Sequence, residues 1–195
     1  MRKAILVLAV LTWAGCSSRH ERALTIDWPA RADEPSNLGF EQGTASWSFS
    51  NYDYAGGADS TTKNSGKSSA FIRSAGPQDD SGRLFQEIRA TKFRGKPLMM
   101  SAYLKVGPLE ATDRDHGPST NWKDPPPGAS LFMVLYGSGR LLGQARSSLI
   151  TETNAWEQHV ITLDVPQHCE GISFGVRLRG RGVVWIDDVE LDTLP

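Results

Sequence analysis

Apolar residues recur along this chain with a period of two rather than three to four. In 171–178, Ile172, Phe174, Val176 and Leu178 fall on one face of an extended segment, with smaller or polar residues between them. The same habit appears, more or less cleanly, in 69–73, 84–89, 98–106, 129–136, 156–165 and 183–191. Each run is short, and Gly, Pro, Asn and Asp cluster between runs, as turns require. No segment sustains an amphipathic helical pattern over three turns. Many short strands separated by turn residues predict an all-β protein, an antiparallel β-sandwich of jelly-roll type.

Alternation also sorts side chains by face. If Ala102, Leu104 and Val106 face the core, then Ser101, Tyr103 and Lys105 face out. The same reasoning sends Arg177 and Arg179 outward from 171–178, and Trp185 outward between Val184 and Ile186. The run 129–136 fits either way: Leu131, Met133 and Leu135 inward, or Phe132, Val134 and Tyr136.

The N-terminus departs from the pattern. Arg2 and Lys3 precede an apolar stretch over 4–14 that is too short to span a bilayer. It closes on Ala14-Gly15-Cys16, which resembles the lipobox of bacterial lipoproteins, although Trp13 stands where that family usually has Leu. The resemblance implies cleavage before Cys16, a diacylglycerol on its thiol and display at the cell envelope. Ser17 after the cysteine resembles the outer-membrane sorting pattern. Residues 1–15 then form a signal peptide, 16–36 a polar tether and 37–195 the folded domain. Within the tether, Leu24, Ile26 and Trp28 alternate, enough for a short strand or docking segment.

Charge narrows the partners. The chain holds 21 Lys and Arg against 22 Asp and Glu, a formal net charge of −1. Loss of Arg2 and Lys3 leaves 19 against 22, or −3. That balance argues against a nucleic-acid partner. Two cysteines make neither a disulfide framework nor a four-ligand zinc site, and lipidation of Cys16 leaves Cys169 as a small buried hydrophobe. His168 is adjacent to Cys169, but neighbours in an extended chain point to opposite faces, which does not make a nucleophile and its base. No nucleophile elbow, P-loop, zinc-protease helix or Cys-x-x-Cys occurs, so the reading is non-catalytic.

One connection is long. Residues 107–128 separate two strong strands and contain Asp113, Asp115 and Trp122 before three prolines. Asp113 and Asp115 alone are a weak metal motif. Trp122 either stacks on a sugar ring or packs over the sandwich edge.

A wider resemblance rests on several motifs in order. Asn37-Leu-Gly-Phe-Glu-Gln-Gly43 followed by Trp47, then Gly66-Lys-Ser-Ser-Ala-Phe-Ile72, Phe85-Gln-Glu-Ile88, Phe93-Arg-Gly-Lys96 and the closing 184–191 segment resemble the galactose-binding-like jelly rolls. That group includes carbohydrate-binding modules. The resemblance covers about 37–192 and implies that the first and last strands lie side by side, bringing Glu41 and Asp188 together around a structural Ca²⁺. Alternatively, Glu41 pairs with a basic side chain or caps backbone amides. Asp187 is expected to point away from Asp188 unless a bulge intervenes.

For ligand binding, Tyr103, Tyr136, Arg177 and Trp185, with Trp122, supply rings and hydrogen-bond donors suited to a carbohydrate or another small oxygen-rich molecule. At least two of the first four are expected to line one groove. The alternative is an envelope assembly protein whose sandwich docks another protein, the outer aromatics being covered.

Overall fold

The computed structural model describes residues 32–50, 53–75, 81–110, 126–153 and 155–194. Cys16, Trp122, Asp113 and Asp115, with the expected signal peptide and most of the tether, lie outside these residues.

The described residues contain strands and no helix. In chain order the strands are β1 Ser48–Ser50, β2 Tyr54–Asp59, β3 Ser69–Ser74, β4 Ser81–Arg89, β5 Pro97–Val106, β6 Gly128–Gly137, β7 Arg140–Arg146, β8 Glu157–Asp164, β9 Gly171–Arg179 and β10 Val183–Thr193. They form two five-stranded sheets, ordered β1-β4-β9-β6-β7 and β2-β3-β10-β5-β8, with every pairing antiparallel. The architecture is the expected all-β sandwich.

The two sheets close over one core. Leu84, Ile88, Leu131, Met133, Leu135, Ile172, Phe174, Val176 and Leu178 come from the first sheet. Ile72, Leu98, Met100, Leu104, Val106, Val184 and Ile186 come from the second. These side chains lose water on folding, the main favourable term in a domain of this size. The ambiguous strand is thereby settled: Leu131, Met133 and Leu135 point inward. Phe40 and Trp47 add an aromatic corner, their ring centroids 4.8 Å apart, with Trp47 edge-on to Phe174 at 5.9 Å. Cys169 is fully buried in the same core, as a small hydrophobe would be.

Three strands were not legible in the pattern. β1 is only three residues, β2 reads Tyr-Ala-Gly-Gly-Ala-Asp like a turn, and β7 carries no alternation. All three lie at sheet edges, where pairing with one neighbour is enough. β7 follows β6 through the turn at Ser138 and Gly139, both with positive φ.

The packed structure also begins before residue 37. Ala32 bridges Ile88 in parallel and accepts the Arg89 amide at 2.9 Å, while Gln86 donates to the Ser36 carbonyl and accepts its amide. Gln86 faces inward on β4, and its buried amide needs partners. Residues 32–36 supply them, so this end of the expected tether belongs to the domain.

Candidate functional site

Glu41 and Asp188 both reach the loop at residues 64–67, but at different residues of it; Glu41 sits in a turn, and the expected side-by-side first and last strands are not formed, because β1 pairs with β4 while β10 lies in the other sheet. β10 carries a bulge between Asp187 and Glu190, and Asp188 there adopts φ 46°. The extra residue resets the alternation, so Asp187 and Asp188 reach the same loop rather than opposite faces. Asp187 is fully buried. Its Oδ2 accepts the amides of Asn64 (2.8 Å) and Ser65 (3.2 Å), and its Oδ1 accepts that of Asp188 (2.8 Å). Burial pushes the Asp187 pKa up, against the pull of those three amides.

Asp188 accepts the Ser65 hydroxyl and the Asn64 side-chain amide. Glu41 accepts the Lys67 amide at 2.8 Å, and a Cβ at Gly66, whose φ is 56°, would run into its carboxylate. Glu41 thus caps a backbone amide. Among the described residues, no three or more His, Cys, Asp or Glu side chains are grouped to hold a metal ion. Both oxygens of Asp187, both of Asp188 and Oε1 of Glu41 accept N–H or O–H groups, so the three side chains clamp the loop.

The four outward candidates do not form one set. Trp185 and Tyr103 lie on the outer face of the β2-β3-β10-β5-β8 sheet, whereas Arg177 and Tyr136 lie on the outer face of the other. In a sandwich those faces look in opposite directions. Arg177 and Tyr136 are themselves far apart, because Arg177 opposes Ser130, six residues from Tyr136 on β6. At about 3.4 Å per residue, roughly 20 Å separates them along the sheet. The single groove built from all four is therefore not formed. Alternation gives a side chain's parity on its own strand, but not which sheet the strand joins.

On the first face, Trp185 stands between Phe71 of β3 and Lys105 of β5. Its indole donates to Asp59 Oδ2 at 2.9 Å. Desolvation pushes the Asp59 pKa up, but hydrogen bonds from Thr61, Trp185 and Thr62 win and hold it well below the usual carboxylate range. Arg73 lies over the Phe71 ring, 5.6 Å from its centroid. Trp185 is thus fixed by its neighbours into a half-buried, low platform.

The opposite face is arranged in rows across β4, β9, β6 and β7. One row reads Phe85, Gly175, Phe132 and Arg146; the next on one side Arg83, Arg177 and Ser130; on the other side Glu87, Ser173, Val134 and Gln144. Tyr136, beside Gly171, begins a further row. Gly175 opposes both phenylalanines, so no side chain stands between two rings on strands about 10 Å apart. Only glycine fits there: φ is 157°, and a Cβ would run into the Leu84 carbonyl oxygen.

Phe132 and Val134 point away from the core yet are only 3% and 9% exposed, and Ser130 and Ser173 are also buried. This face is recessed at those four positions, whereas Phe85, Glu87 and Arg177 are half-buried and Arg83, Gln144 and Arg146 exposed. At its Arg177 end a cavity of about 200 Å³ is lined in part by Ser130, Arg146, Ser147, Leu149, Arg177 and Arg179.

Sequence reasoning passed over Phe85, Phe132, Arg83 and Arg146. Phe85 was within reach of it, since Leu84, Gln86 and Ile88 alternate with Phe85 and Glu87. Phe132 was hidden by the all-apolar β6, where both parities look like core. Arg146 belongs to a strand the pattern did not reveal.

In fold, this two-sheet sandwich is similar to the jelly rolls of carbohydrate-binding modules. It matches the CBM22-1 and GH10 modules of Clostridium thermocellum endo-1,4-beta-D-xylanase 10B, solved with xylohexaose, at TM-score 0.58 and 13% identity, over 80% of this chain and 28% of that one. It matches a family 61 carbohydrate-binding module in complex with beta-1,4-galactotriose at TM-score 0.52 and 16% identity, over 85% and 100%. A Stig cyclase from Fischerella sp. TAU also matches, at TM-score 0.58 and 14% identity, over 85% and 98%. At these identities the likeness is one of fold.

In sequence, the chain is 30% identical over 138 residues to YbfP of Bacillus subtilis, an uncharacterised HTH-type transcriptional regulator. The match takes in 68% of this chain but only 41% of that relative's length. The sequence matches no protein-family model.

Proposed function

We propose that this chain is a non-catalytic, lipid-anchored envelope protein whose jelly-roll domain binds carbohydrate on the recessed face of the β1-β4-β9-β6-β7 sheet. The observation that carries the reading is the row Phe85–Gly175–Phe132 flanked by polar rows. Sugar rings offer apolar C–H faces to aromatic side chains and hydroxyls to polar ones, and the half-buried Phe85 with Arg83, Arg177, Glu87 and Gln144 on the same face offers both. A neighbour of the same fold, the family 61 carbohydrate-binding module solved in complex with beta-1,4-galactotriose, supports the class of ligand. The lipid anchor rests on Cys16 within its lipobox-like sequence, and the outer membrane on Ser17. The non-catalytic reading rests on the absence of any catalytic motif in the sequence.

Affinity electrophoresis against soluble polysaccharides tests the binding. At least one should retard the protein, and Phe85→Ala should weaken retardation by about tenfold to a hundredfold, the scale of a central aromatic contact. Trp185→Ala, on the other face, should leave it unchanged. If no polysaccharide retards the protein, or if Trp185→Ala abolishes retardation and Phe85→Ala does not, this reading falls.

A further inference from the structure

Among the described residues, β1 and β7 end one sheet and β2 and β8 end the other. An open edge offers a row of backbone N–H and C=O groups to any further strand, and proteins that stay apart blunt their edges. Three of these edges are blunted. β1 is three residues long, β2 is weakened by Gly56 and Gly57, and β7 is bulged against 135–136 and carries an arginine at each end. β8 has none of these devices. It runs for eight residues in unbroken register, without Gly or Pro, and its carboxylates stand at its two ends, Glu157 and Asp164, with no Lys or Arg between them.

The ladder shows which backbone groups are open. Val165, just past β8, donates to the Lys96 carbonyl at 3.0 Å, so its amide faces β5. In an antiparallel pair the backbone groups of alternate residues turn to the same side. His159, Ile161 and Leu163 therefore face β5, and Gln158, Val160, Thr162 and Asp164 face away from it. All four are exposed, and no backbone hydrogen bond of the described residues reaches β8 from that side. Val160, near the middle, is 52% exposed. We propose that this edge pairs with the same edge of a second copy of the chain, antiparallel about a twofold axis at Val160, so that the two β2-β3-β10-β5-β8 sheets become one. The strand complements itself in that register. Val160 meets the partner's Val160 and Gln158 meets the partner's Thr162 on the outer face, while His159 meets the partner's Ile161 on the inner one. The carboxylates do not oppose one another, and the open groups of Gln158, Val160 and Thr162 exchange about six hydrogen bonds. Sliding one copy by two residues sets Val160 against Gln158 or Thr162 and loses the apolar contact. A strand from an unrelated chain has to bring its own matching row, whereas here the match lies within β8 itself.

Sedimentation of purified full-length protein over a range of concentrations should show a monomer–dimer equilibrium. Val160→Lys, at an exposed position where the monomer loses little packing, sets two ammonium groups face to face and should weaken the dimer at least about tenfold. Cysteine substitution reads the register independently of affinity. Under mild oxidation Val160→Cys should give a covalent dimer in excess of the wild type, because residues directly opposite on paired strands lie within disulfide reach. Gln158→Cys should not, since four residues, roughly 14 Å, separate it from the partner's Gln158. A protein that stays monomeric at about 1 mM leaves the edge to a strand from another chain and overturns self-pairing. A dimer that Val160→Lys leaves intact overturns β8 as its surface, and cross-linking through Gln158→Cys in place of Val160→Cys overturns the pairing about Val160.

Discussion

Asp187 and His159 show how far single side chains are set by their surroundings. Truncating Asp187→Ala leaves the amides of Asn64 and Ser65 without their acceptor, at a cost of about 1–3 kcal/mol. Asp188→Ala should cost less, because its partners are the side chains of Asn64 and Ser65, which can turn to water. Thermal unfolding of the two variants compares them directly, and an equal or reversed order would show that the loop clamp is misread. Chelation should leave the melting temperature of the wild type unchanged, since both oxygens of Asp188 and one of Glu41 already accept hydrogen bonds. A fall in that temperature on adding EDTA would put a cation among them.

His159 faces inward from the edge strand β8, its Nε2 buried without a hydrogen bond and 3.9 Å from Glu157. Desolvation lowers its pKa, with Glu157 pulling the other way. The folded state therefore binds its proton less readily than the unfolded chain does. Its contribution to stability is complete above the unfolded value of about 6.5 and is lost as pH falls through the folded one. His159→Gln should flatten the decline of melting temperature between pH 7.5 and 5.5, and parallel curves for variant and wild type would count against this assignment.

At the scale of elements, β9 is the strand on which the recessed face depends. It sits at the centre of its sheet, paired to β4 and β6 along its whole length, and Gly175 lets it pass close to β4. Gly175→Ala forces either a strained backbone or a displaced β4. A cost of about 3 kcal/mol is expected, which for a domain of this size lowers the melting temperature by roughly 6–12 °C. A variant that melts with the wild type would show that β9 has room to spare. The bulge in β10 is the second local device. It turns Asp187 and Asp188 toward one loop, where regular alternation would have separated them.

For the whole molecule, anchoring and binding are separable. Cys16→Ser should release the protein from the membrane fraction without altering its affinity for saccharide. Persistence of the variant in membranes as a lipidated species would overturn the anchor. Two faces looking in opposite directions also separate the aromatic sets: changes at Phe85 or Arg177 should act on binding, and changes at Trp185 or Tyr103 should not.

The sequence by itself determined the fold class and most of its strands, because burial of one face writes a period of two into Leu84–Ile88, Ile172–Leu178 and Val184–Ile186. It determined that Tyr103, Arg177 and Trp185 would point outward. It said little about β1, β2 and β7, whose edge positions demand no buried face. Tertiary structure alone decided which sheet each outward side chain joined, and so parted Trp185 from Arg177. It alone set Phe85 and Phe132 either side of Gly175. Parity along a strand is a local property of the backbone, whereas strand order depends on contacts between residues far apart in the chain, such as Phe85 with Gly175 and Gly175 with Phe132.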